Sequence, residues 1–180
     1  MTPHNFDSPS LYDSAFEKSS CGVGFLTRKD GKQTHELLVK GHEALCAVPH
    51  RGGMSAEGVG DGAGVSVDLS VEFFNKVTNS KLTPGEFGVA NFFLPNDPSQ
   101  HQSARELVDL ALEAQGMKIL VTRDVQVDNS VLRPASVKYQ LPIAQWVFAA
   151  PAGVRGTQLD KVIHKALLAI ESKAYTEVAL

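Results

Sequence analysis

The chain has 180 residues and a formal net charge of −3, with 43% hydrophobic and 21% charged residues. That balance belongs to a globular domain with a core of its own, not to a disordered or membrane-embedded chain, and its weak acidity gives no support for a nucleic-acid or acidic-membrane partner. No apolar run reaches the ~18–20 residues of a membrane helix.

The stretch Met1 to Ser20 is polar and carries Pro3 and Pro9. It lacks the basic end and apolar centre of a secretory signal, so a cytoplasmic location is expected. The two cysteines, Cys21 and Cys46, could form one disulfide, but a reducing compartment favours free thiols.

In chain order, Met1 to Ser20 reads as an irregular leader and Cys21 to Leu26 as a short buried strand. Arg28 to Lys32 is a polar turn around Asp30-Gly31, suited to a hairpin-like bend. Thr34 is an N-cap candidate for a helix over Glu36 to Ala47, with Leu37, Leu38, Gly41, Ala44 and Leu45 on one side. Pro49 ends it, and a glycine-dense region runs from Gly52 to Gly64. Val65, Val67 and Leu69 alternate with polar residues as a strand would. Ser70 can cap a short helix over Val71 to Val77.

Gly88 to Leu94 is a further strand. Asp97-Pro98 opens the clearest helix, which runs to Ala114 with Gly116 as its stop. Lys118 to Val121 and Ile143 to Ala149 read as buried strands. Thr157 with Asp160 resembles a capping box before a helix to about Ser172, whose apolar face includes Leu159, Val162, Ile163, Ala166, Leu167 and Ile170. Tyr175 to Leu180 reads as the start of another strand, which implies a fold incomplete at its C-terminus. The alternation is that of a layered α/β or α+β architecture.

Cys21 opens the run Cys21-Gly22-Val23-Gly24-Phe25. Glycines beside a cysteine leave room for a substrate to approach the backbone. A thiol nucleophile needs a base: a histidine, or the residue's own α-amine if cleavage makes Cys21 the first residue. That amine, with a reference pKa of about 7.7–8.0, can accept a proton near neutrality. The same pattern also suits a small core cysteine on a tight strand.

A second cluster is His50-Arg51-Gly52-Gly53 followed by Gly60-Asp61-Gly62-Ala63-Gly64. Arg51 can orient a carboxylate or hold a loop through its fork of donors, and the glycines suit a chain folded tightly against a neighbouring strand. It is neither a phosphate loop nor a dinucleotide fingerprint, because no Gly-Lys-Ser/Thr follows and the third glycine is misplaced. Taken alone, the cluster also reads as a turn-rich connection.

Leu11-Tyr12-Asp13, Glu17 to Phe25, Glu43-Ala44-Leu45 leading to His50-Arg51-Gly52, Gly60 to Val65 and the pair Phe73-Phe74 occur in order. With that order and spacing, the sequence resembles the amino-terminal glutaminase domain of the glutamate synthase large subunit, a class II glutamine amidotransferase of the Ntn-hydrolase superfamily. The likeness is dense from Leu11 to about Phe74.

It implies an α+β, four-layer αββα fold, a propeptide at residues 1–20 and an amidotransferase domain over residues 21–180. It implies Cys21 as the nucleophile on the glutamine side-chain amide, with Arg51 and Gly52 in the active-site loop. No cofactor or metal is expected in this chain. FMN and the iron–sulfur cluster of that family belong to downstream domains or companion subunits, which are the implied partners together with glutamine.

The family's distant arginine for the glutamine α-carboxylate and its oxyanion-forming Asn-Gly pair have no counterpart here: Asn79-Ser80, Asn96-Asp97 and Asn129-Ser130 do not supply one. The alternative is therefore a truncated glutaminase-like binding or regulatory module without activity on its own. A Cys–His hydrolase, with Cys21 activated by His50 or His35, explains neither the motif order nor the leader. His42 and Cys46 form an i, i+4 pair that could bind zinc only with two further ligands. Glu106, Asp109 and Glu113 read as a solvated helix face.

Overall fold

The computed structural model describes residues 23–47 and 62–178. These fall into two compact units, residues 23–47 with 62–65 and residues 66–178.

In the first unit, Arg28 to Gly31 closes a tight turn. The Gly31 amide donates to the Arg28 carbonyl at 3.1 Å, and Gly31 takes φ +65°, a left-handed conformation that glycine adopts without steric cost. Helix α1, His35–Cys46, follows with Thr34 as its cap, the threonine side chain accepting from the Leu37 amide. Gly41 faces Val65, whose Cγ1 would lie 3.6 Å from a Cβ placed there. The helix buries none of its residues: Leu38 and Val39 remain exposed.

Val23 to Leu26 is not the expected buried strand. It has no regular structure, and Val23 and Phe25 are 91% and 90% exposed. Among the described residues no strand pairs with it, and β structure needs such a partner to satisfy its backbone. The alternating run Val65 to Leu69 likewise has no regular structure and is exposed, and among the described residues it joins no sheet.

The second unit carries the sheet. Strands β1 (Phe87–Phe93), β2 (Lys118–Asp124) and β3 (Ile143–Ala149) form a three-stranded antiparallel sheet in the order β1-β3-β2. Helix α3 (Pro98–Ala114) crosses from β1 to β2, and β3 then inserts between them. The last strand is thus the central one, which explains why it reads as a nearly continuous apolar run: residues 144–148 are all buried. The register skips one residue between Ile119 and Val121 on the edge strand β2.

Helices α3 and α5 (Thr157–Lys173) cover one face of the sheet. Trp146 and Phe148, fully buried, pack there with Leu94, Val108, Leu112, Ala166 and Ile170. Complete burial of a side chain such as Phe148 stabilises the fold by about 1.5–3 kcal/mol. Its ring lies over Gly88, its register partner on β1. A Cβ on Gly88 would come within 2.5 Å of the ring, so this close approach requires glycine. On the opposite face, helix α2 (Val71–Thr78), capped by Ser70, sets Phe74 against Phe87 and Val147.

Local signals fixed α3 at both ends. The Asp97 carboxylate accepts from the Ser99 and Gln100 amides, and Pro98 takes the first helical position. At the other end Gly116 adopts φ +76°. Its amide donates to Glu113, the Met117 amide donates to Leu112, and Met117 is buried beside the end of the helix.

Helix α5 departs from its expected capping box. Gly156, at φ +56°, occupies the cap position and no side chain caps the helix, because the helix already includes Thr157. A short 3₁₀ turn (Asn129–Val131) and helix α4 (Pro134–Val137) lie in the β2–β3 connection. The strand expected from Tyr175 is absent. Residues Ala174–Val178 instead extend α5 as a π-helical turn.

Candidate active site

Cys21, Arg51 and Gly52, with Gly22, His50 and Asp61, lie outside the described residues. The structure describes their flanks. Among the described residues, a Cβ at Gly24, Gly62 or Gly64 would meet no heavy atom within 4 Å. Among the described residues, then, no strand presses against Gly62 or Gly64, and the rest of the glycine-dense region lies outside them. Helix α1 ends at Cys46, four residues before His50.

Three polar contacts among the described residues of this unit are local pairs. Arg28 holds Asp30 through two hydrogen bonds of 2.9 and 2.7 Å. The Asp30 carboxyl is lowered from its ordinary pKa chiefly by that guanidinium, and Arg28 is raised by the same contact. Lys40 lies 2.7 Å from Glu36 one helical turn away and lowers its pKa. The Cys46 sulfur is 3.9 Å from His42 Nδ1 on an exposed helix face. Among the described residues no group of three or more His, Cys, Asp or Glu side chains converges on a metal position, so His42 and Cys46 remain a pair.

In the second unit a groove of about 440 Å³ is lined by Asn96, His101, Asp124 and Gln140 above apolar residues of the β2–β3 connection. His101 is not a free base there. Arg105 Nε donates to His101 Nε2 at 3.0 Å, and Arg105 also pairs with Asp124. Since an arginine only donates, Nε2 must accept, which leaves Nδ1–H to donate to the Pro95 carbonyl at 3.2 Å. Both ring nitrogens are engaged in holding the start of α3.

Asp109 is misplaced by a solvated-face reading. It accepts a 2.7 Å hydrogen bond from the indole N–H of the fully buried Trp146 and is itself only partly exposed, whereas Glu106 and Glu113 are exposed. A third polar feature crosses the sheet. Arg123 Nε donates to Gln145 Oε1 at 2.8 Å, and Gln145 Nε2 donates to Asn91 Oδ1 at 2.9 Å. These three residues, one from each strand, stand in register. Sequence inspection passed over them. The available signal was a single polar residue inside each apolar run, GVANFF and IAQWVFA.

The profile of the class-II glutamine amidotransferases matches residues 21–179, nearly the whole chain. The chain belongs to this family. The amidotransferase chain is 33% identical over 162 residues to ferredoxin-dependent glutamate synthase 2 of a Synechocystis species, covering 87% of this chain and 10% of that protein. It is 33% identical over 141 residues to the NADH glutamate synthase of Schizosaccharomyces pombe, covering 76% of this chain and 7% of the relative. It is 30% identical over 141 residues to the large chain of the Bacillus subtilis NADPH glutamate synthase, covering 77% and 9%. The chain thus spans a tenth or less of the length of these curated relatives. Among the described residues no helix is long and apolar enough to cross a membrane.

Proposed function

We propose that this chain carries the nucleophile-bearing part of the glutaminase domain of a glutamate synthase-like protein. The observation that carries the reading is the family match, which begins at Cys21 and continues to residue 179. In this reading residues 1–20 are removed. The freed α-amine of Cys21 takes the thiol proton, and the thiolate attacks the side-chain amide carbon of glutamine. Collapse of the tetrahedral adduct breaks the C–N bond, and ammonia leaves with the proton. Water then cleaves the γ-glutamyl thioester, releasing glutamate and restoring the thiol. Arg51 and Gly52 shape the loop beside the nucleophile.

The same reading assigns the four-layer αββα arrangement. The described sheet has α3 and α5 on one face; a second sheet with its own helices would pack on the other, beside α2. FMN and the iron–sulfur cluster would reside in other domains or companion subunits. The two cysteines of this chain could not supply the four thiolates such a cluster takes. A cytoplasmic location accompanies this role.

A second reading, a glutaminase-like binding or regulatory module inactive on its own, is favoured by one observation: none of the 180 residues forms an Asn-Gly pair. Loss of an oxyanion donor costs about 10²–10³ in rate.

The test measures glutamate release from glutamine by the chain alone and with companion subunits, together with N-terminal sequencing. The first reading expects a mature chain beginning at Cys21 and turnover abolished by Cys21→Ala. Turnover by a preparation that retains Met1 would overturn the α-amine mechanism. A mature chain silent in every combination would favour the binding module.

A further inference from the structure

We draw no further inference here: the strongest candidate, the groove between the start of α3 and the β2–β3 connection, has its polar side chains Asn96, His101, Asp124 and Gln140 engaged with neighbours in the fold, and nothing in the structure shows what covers the apolar residues between them.

Discussion

Asp109 shows how a single residue can be read correctly by type and wrongly by place. On the helix it falls among Glu106 and Glu113, and a charged residue at such spacing ordinarily faces water. Here its carboxylate is the acceptor for the indole N–H of Trp146, which has no solvent exposure and hence no water to replace it. Arg105, 5.7 Å from the Trp146 ring, covers the same indole. Asp109→Ala should therefore leave a buried donor unsatisfied and destabilise the fold by about 1–3 kcal/mol. Asp109→Asn, which keeps an oxygen acceptor, should recover most of that loss. Urea unfolding of the two variants, followed by tryptophan fluorescence, checks this; equal destabilisation by both would show that charge rather than acceptance matters.

At the scale of elements, the helices with strong end signals were legible and the strands without partners were not. Helix α3 is bounded by Asp97-Pro98 and Gly116, features that act within a few residues of the chain and need no tertiary contact. Its cap also has a pH dependence. The Asp97 carboxyl is held below its ordinary range, first by the Ser99 hydroxyl and then by the Gln100 and Ser99 amides. Since the folded pKa is depressed, the cap's contribution is present above the unfolded value of about 3.9 and is lost as pH falls through the lower folded value. Far-UV circular dichroism in acid should show loss of helix in that window. Asp97→Asn, a cap that does not titrate, should flatten this dependence. An unchanged acid profile in that variant would remove Asp97 as the cause. In contrast, Val23 to Leu26 and Val65 to Leu69 have the composition of strands, but no strand among the described residues pairs with them.

At the scale of the whole molecule, both buried clusters belong to the second unit, whereas α1 in the first buries none of its residues. Native-state hydrogen exchange should reflect that division. The amides of β3, flanked by two strands and covered by α3 and α5, should exchange most slowly, through global unfolding. Those of α1 should exchange through local opening at lower free energy. Protection of α1 equal to that of β3 would show that the first unit unfolds only with the second. The division also bears on function. The residues that carry the family resemblance, Cys21 and the His50-Arg51-Gly52 run, belong to the N-terminal part of the sequence, while the described core lies in residues 66–178.

The sequence by itself determined the family through ordered short motifs, the α3 boundaries through caps, and β3 through an apolar run bounded by polar turns. These are properties of neighbouring residues, so a linear reading reaches them. Only the tertiary structure decided that β3 is central, that Gly88 accommodates the Phe148 ring, and that Asp109 serves Trp146. It also decided that Tyr175 continues a helix and that Arg123, Gln145 and Asn91 meet in one row. Each of those depends on residues tens of positions apart being brought into register by sheet pairing and helix packing, which no local pattern encodes.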